Sequence, residues 1–204
     1  MLIGIDLDNT IVKYDHVFHR MALDQKLIPH NFSAQKFGIR DYIKQCKDNG
    51  NDVWTKLQGQ VYGPGIDYAI PFSGVIDFLE ICKQRNISTC VVSHKTRYAQ
   101  KGPKFDLRES ALQWLRSQGF LDISRTGLSL AHVHFNSTRS SKIRRLIEIG
   151  CTHFIDDLPE FFSDPQFPNT VEKILFDPSS NFVDHEHLHR ANSWQELINW
   201  IKHI

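Results

Sequence analysis

Apolar residues in this chain gather in short runs more often than they alternate with polar ones. Five such runs, at 2–7, 88–92, 131–135, 152–155 and 173–176, are four to six residues long. Alternation is lost when both faces of a strand are covered, so the runs predict buried strands of a parallel sheet. The segments between them carry a helical period. Residues 74–85 place Val75, Ile76, Phe78, Leu79 and Cys82 on one face, and further helices are predicted over 107–118, 140–149 and 194–204. Asp106 with Glu109, and Ser193 with Glu196, have the spacing of a capping box, while Gly119 and Gly150 stand where helices stop. Strands alternating with helices imply an α/β fold: a Rossmann-like parallel sheet of five strands, flanked by helices and joined by right-handed crossovers.

The stretch 13–72 breaks this rhythm. It contains no convincing strand, but helix-like pieces at 15–27, 33–47 and 52–60, punctuated by Pro29, Gly50 and Gly63-Pro64-Gly65. A small α-helical module inserted after the first strand is predicted. The chain then divides into an α/β core, residues 1–12 and 73–204, and a helical insert, residues 13–72.

Composition narrows the partners. The chain has 24 basic and 23 acidic residues, a net charge of +1, which gives no electrostatic case for nucleic acid. Its densest basic patch, Lys95, Arg97, Lys101 and Lys104, is followed at once by Asp106 and Glu109. No apolar stretch approaches the roughly 20 residues needed to span a bilayer. The N-terminal apolar run has no basic region ahead of it and leads straight into a pair of acids, so it is read as strand, not as a signal peptide. Cys46, Cys82, Cys90 and Cys151 show no CxxC spacing and are expected to be buried free thiols in a reducing cytoplasm.

The candidate chemistry sits where strands end. Asp6-Leu7-Asp8-Asn9-Thr10 follows the first run, and ligands of open α/β sheets bind at the carboxyl ends of strands. Ser93 ends the run at 88–92, Lys142 lies near the start of a helical stretch, and Asp156-Asp157 follows the run at 152–155. His185-Glu186-His187-Leu188-His189 has zinc-like spacing. It lacks cysteines and follows the last predicted strand, so a solvated loop is expected there.

In this order, an Asp-x-Asp-x-Thr, a strand-ending Ser, a Lys before a later helix and a carboxylate pair resemble the haloacid dehalogenase-like (HAD) hydrolases, most of which are magnesium-dependent phosphatases. The resemblance implies that Asp6 is the nucleophile, forming an aspartyl-phosphate, and that Asp8 protonates the leaving group and then activates water. Ser93 would bind a phosphoryl oxygen, and Lys142 would contact Asp6 and the phosphate. Lys95, two residues past Ser93, is a rival for the lysine role. Mg²⁺ would be held by Asp6, the backbone carbonyl of Asp8 and the 156–157 pair, with Asp157 as the inner ligand and Asp156 orienting a metal-bound water. His94 and Lys95 are candidates for binding the phosphate-proximal side of the substrate. Asp8 directs the reading to phosphate esters, because a departing alkoxide needs a proton and a departing halide does not.

The resemblance further implies that 13–72 is a cap. Tyr14, His16, Arg20, Arg40, Trp54 and Lys56 lie within it as unassigned candidates for reading the leaving group. The expected function is a cytoplasmic, Mg²⁺-dependent phosphatase of a small phosphorylated metabolite, such as a sugar phosphate, with neither nucleic acid nor membrane as partner. A phosphotransferase or mutase would use the same motifs, and a non-catalytic HAD-like binding domain would have lost an acid. The oligomeric state and the substrate's identity are not legible.

Overall fold

A computed structural model describes residues 1–182 and 188–203. The chain forms eight strands among the described residues: β1 Leu2–Ile5, β2 Val12–Lys13, β3 Ile70–Pro71, β4 Ser88–His94, β5 Val133–Asn136, β6 His153–Asp156, β7 Glu172–Phe176 and β8 His189–Ala191. The helices are α1 Asp15–Asp24, α2 Lys36–Cys46, α3 Gly50–Tyr62, α4 Val75–Gln84, α5 Leu107–Ser117, α6 Ile123–Thr126, α7 Arg139–Glu148, α8 Pro159–Phe162 and α9 Trp194–Lys202. None of them is long and apolar enough to cross a membrane.

Two compact units emerge. The first joins Met1–Val12, Pro71–Lys95 and the chain from Leu115 onward. It holds a six-stranded sheet in the order β5-β4-β1-β6-β7-β8, parallel throughout. The sheet therefore has six strands where the apolar runs predict five. The sixth, His189-Arg190-Ala191, lies at an edge and is only three residues long, so it has no apolar run to betray it. This also corrects the loop expected at His189, whose ring packs against Trp200 at 5.6 Å. His185, Glu186 and His187 lie outside the described residues.

Central strand β1 is held between β4 and β6, with Gly4 opposite Cys90 on one side and Phe154 on the other. A Cβ at Gly4 would sit 2.6 Å from Phe154 Cδ2 and 2.8 Å from Cys151 Sγ, so only glycine leaves room for that packing. A core cluster including Phe154, Phe161, Phe162, Phe167, Ile143, Leu146 and Leu175 packs in this unit. Trp194 at the start of α9 lies against Phe78 and Phe176, ring centroids 5.1 and 5.5 Å apart. Two caps set helix starts as the spacing predicts, Ser193 accepting the Glu196 amide at 3.2 Å and Asp106 the Glu109 amide at 3.0 Å; Thr138, which the spacing does not mark, accepts the Ser141 amide to open α7. The short α6 and α8, one turn each, leave no periodic signal.

The second unit comprises Lys13–Ile70 and Thr96–Trp114. It is helical, built from α1, α2, α3 and the first two turns of α5. Residues 96–114, grouped with the α/β part by their place in sequence, pack instead with this unit. Trp54 stacks on Phe18 at 5.0 Å, Tyr62 meets Phe18 and Tyr14 edge-on, and Trp114 donates its indole N–H to the Ala69 carbonyl at 3.0 Å. All four cysteines are free; Cys46 is exposed, against the expectation of burial, because it ends α2.

Candidate active site

Asp6 follows β1 directly. Its backbone N–H donates to the Ile155 carbonyl at 2.9 Å, extending the β1–β6 ladder so that the acid arrives beside the end of β6. Beyond it the chain turns sharply. The Leu7 carbonyl accepts the amides of Ile11 and Val12, at 3.0 and 2.9 Å, and Asn9 adopts φ 65°, a left-handed conformation that Asn tolerates better than most residues. The Thr10 carbonyl accepts the indole N–H of Trp194 at 3.1 Å. This tight loop holds Asp8 two residues beyond Asp6.

Lys142, in the first turn of α7, is 3% exposed, and its ammonium lies 2.6 Å from Asp6 Oδ1 and 2.6 Å from Asp156 Oδ2. The rings of Phe161 and Phe154 flank it at 4.3 and 5.1 Å. Asp156 places its other oxygen on the Leu158 amide at 3.0 Å. Carboxylate oxygens of Asp6, Asp156 and Asp157 lie within 4.8 Å of one another. On the β4 side, Ser93 and Lys95 are buried and His94 between them is exposed. Lys95 directs its ammonium to Asp8, 3.0 Å from Oδ1 and 2.8 Å from Oδ2.

The two lysines weighed for one role thus have separate partners: Lys142 meets Asp6 and Asp156, and Lys95 meets Asp8. His94 turns to the Ser137 carbonyl at 3.2 Å, and partial desolvation of its ring pulls the imidazole below the ordinary value of 6.5 although the residue as a whole is exposed. Two nearby residues are given no role by the sequence reading. Asn136, buried at the end of β5, accepts the Lys95 amide on its carbonyl at 2.8 Å. Thr10 is buried with its hydroxyl unpartnered, as is the Ser93 hydroxyl. Its position as the last residue of Asp-x-Asp-x-Thr is the one signal that singles Thr10 out.

Electrostatics sharpen the picture. Burial, partly offset by Lys142 and reinforced by Asp156 and Asp8, pushes the Asp6 carboxyl up to about 7. Burial alone would draw the Lys142 ammonium down, but Asp156 and Asp6 outweigh it and hold Lys142 above its ordinary value. Four acidic side chains, of Asp6, Asp8, Asp156 and Asp157, outnumber the two ammonium groups by two. An excess of negative charge presented on oxygen alone suits a hard divalent cation. Asp6, Asp156 and Asp157 are the carboxylates close enough together to hold it, and Asp156 also accepts from Lys142 and the Leu158 amide. A buried hydroxyl without a partner, such as that of Ser93, fits a ligand supplying an acceptor.

No protein-family model and no curated protein sequence matches the chain. Solved structures do. A haloacid dehalogenase-like hydrolase from Streptococcus pneumoniae aligns over 98% of this chain and 97% of its own, with TM-score 0.61 and 13% identity. A HAD family hydrolase from Deinococcus radiodurans, with bound phosphate and sodium, aligns over 96% and 92%, with TM-score 0.55 and 13% identity. A HAD hydrolase from Bacillus subtilis bound to magnesium aligns over 98% and 97%, with TM-score 0.58 and 11% identity. At these identities the likeness is one of architecture, and it holds over nearly the whole of each chain: this protein has the fold of the haloacid dehalogenase-like hydrolases.

Proposed function

We propose that the chain is a Mg²⁺-dependent phosphatase of a small phosphorylated metabolite, working through an aspartyl-phosphate on Asp6. The observation that carries this reading is the buried Lys142 ammonium seated between Asp6 and Asp156, with Asp157 beside them and the unpartnered Ser93 hydroxyl in the same unit. The phosphate and magnesium bound by the Deinococcus and Bacillus proteins support the same ligand classes here. Free cysteines support a reducing compartment such as the cytoplasm.

An Asp6 oxygen attacks phosphorus while the ester P–O bond breaks, and Asp8 gives its proton to the departing alkoxide. Asp8, now a carboxylate, takes a proton from the water that attacks the aspartyl-phosphate, which releases inorganic phosphate and regenerates Asp6. Lys142 offsets the charge of Asp6 and of the incoming phosphoryl oxygens, and Ser93 donates a hydrogen bond to one of those oxygens. Asp6, the Asp8 carbonyl and Asp157 would hold Mg²⁺, which supplies positive charge that draws in a phosphate dianion. Residues 13–72, together with 96–114, serve as the cap that selects the leaving group.

The test is release of inorganic phosphate from p-nitrophenyl phosphate and a panel of phosphorylated metabolites, with and without Mg²⁺. Turnover should stop with EDTA and return with Mg²⁺, and Asp6→Asn should be inactive. Activity that survives chelation, or that returns with Zn²⁺ alone, contradicts the metal assignment. An isomerised or transferred product in place of free phosphate would make the enzyme a mutase or phosphotransferase.

A further inference from the structure

We infer that Lys95 is the positioning residue for Asp8: it fixes the carboxyl group that exchanges protons with the leaving group and with water. The inference rests on the phosphatase reading above. Three observations carry it. The ammonium reaches both Asp8 oxygens, at 3.0 and 2.8 Å, so it restrains the rotation of the carboxyl group and not merely its distance. The Lys95 side chain is 2% exposed, against 16% for that of Asp8. A lysine normally keeps its ammonium in water, so a buried one needs a partner and a reason. Finally, the Lys95 backbone is pinned, its amide bonded to the Asn136 carbonyl at 2.8 Å just past the end of β4.

Strand geometry explains how one segment serves two tasks. Successive side chains of a strand point to opposite faces, so Ser93 and Lys95 share a face while His94 points away. Burial follows that alternation: Ser93 and Lys95 are buried and His94 is exposed. One position of β4 thus presents a hydroxyl suited to a phosphoryl oxygen, and the next position on the same face presents a cation to the proton-transfer group. Lys142, on α7, has Asp6 and Asp156 as its own partners. Each lysine governs a different acid of the Asp6-Leu7-Asp8 segment.

Asp8 can donate a proton efficiently only when its carboxyl is aimed at the leaving oxygen. Without Lys95 the carboxyl would rotate, and the loss would scale with how much the leaving group needs a proton. The experiment compares an alkyl phosphate with p-nitrophenyl phosphate for wild type, Lys95→Met, Lys95→Arg, Asp8→Asn and the Lys95→Met/Asp8→Asn double variant. Folding of each is checked by thermal melting. Lys95→Met should lower kcat for the alkyl ester by about 10²-fold, the lower end of a general acid's contribution. The aryl ester should lose far less, and KM and inhibition by inorganic phosphate should hardly change.

Lys95→Arg should restore part of the alkyl activity, and Lys95→Met should add little in the Asp8→Asn background. Equal losses on both esters, additive losses in the double variant, or weakened inhibition by phosphate would overturn the inference; the last would make Lys95 a phosphate ligand. If Lys95→Met does not fold, Lys95→Arg alone decides: a loss concentrated on the alkyl ester supports the role, and an even loss refutes it. Wild type that cleaves neither ester overturns the phosphatase reading and Lys95's role with it. Wild-type turnover abolished by Asp6→Asn upholds that reading whatever Lys95 does.

Discussion

In the helical unit, Lys13–Ile70 with Thr96–Trp114, the interior is made of rings and aliphatic chains: Trp54 on Phe18, Tyr14 against Tyr62, with Ile39, Ile43, Leu57 and Trp114 around them. In the sheet unit the interior also holds Asp6, Thr10, Thr89, Ser93, Lys95, Thr126, Asn136, Lys142, Asp156 and Asp177, which are all the buried polar and charged residues of the described chain. Taking a charge out of water costs several kcal/mol even after relaxation, and replacing buried ion pairs with apolar residues is often neutral or stabilising. The helical unit follows the cheaper course. The sheet unit does not, and its costly groups Asp6, Ser93, Lys95, Asn136 and Asp156 cluster where β1, β4, β5 and β6 end. Charge retained at one end of a sheet is the mark of a site kept for a ligand.

Substitutions in the two units should therefore fail in different ways. The largest effect is expected for Lys142→Met, which leaves Asp6 and Asp156 buried without their shared cation. It should cost about 3–5 kcal/mol in urea unfolding and abolish phosphate release. An active, fully stable variant would dissolve the contrast. Trp54→Ala should cost a comparable 3–5 kcal/mol by opening a cavity in the helical unit. At a temperature where the variant is folded, p-nitrophenyl phosphate should still be cleaved in a Mg²⁺-dependent way. Loss of that chemistry in a folded Trp54→Ala protein would contradict the proposed restriction of the helical unit to substrate choice.

Gly4→Ala tests packing within β1, two residues before Asp6. Its Cβ would press on Phe154 and the Cys151 sulfur, and overpacking of this kind costs about 1–3 kcal/mol. Stability should fall while kcat of the folded fraction is kept. The smallest effect concerns His153, which burial holds below 6.5. Below that pH the unfolded chain binds more protons at this position than the folded one, so the wild type should lose stability as pH falls through 6.5. His153→Phe removes that component. The melting temperature of wild type relative to His153→Phe should thus drop between pH 7.5 and 5.5, and a constant difference would contradict the assignment.

Much of the sheet unit is legible because its signals are local. An unbroken apolar run followed by Asp6-Leu7-Asp8 marks both a buried strand and the end where ligands bind, and Ser93 and Asp156-Asp157 repeat the pattern. Other features depend on contacts between residues far apart in the chain. Strand β8 is three residues long and polar at its start, and is a strand only because β7 lies beside it. Residues 96–114 look like a continuation of the α/β alternation, yet Trp114 bonds to Ala69 and Gly59 meets Ala99. The division of labour between Lys95 and Lys142 is likewise invisible in sequence, because 87 residues separate Lys95 from Asp8 and 136 separate Lys142 from Asp6.

In the proposed mechanism, the buried charge around Asp6 is retained for phosphoryl chemistry and not for the stability of the fold. The most direct measurement is made on Asp6→Asn, reading its melting temperature without metal beside its release of phosphate from p-nitrophenyl phosphate with Mg²⁺. The substitution removes one buried carboxylate and leaves Lys142 its partner Asp156. The melting temperature should stay within a few degrees of wild type, or rise, while turnover and any trapped phosphoenzyme disappear. A folded Asp6→Asn protein that still turned over substantially would contradict the claim, and so would one that lost its fold.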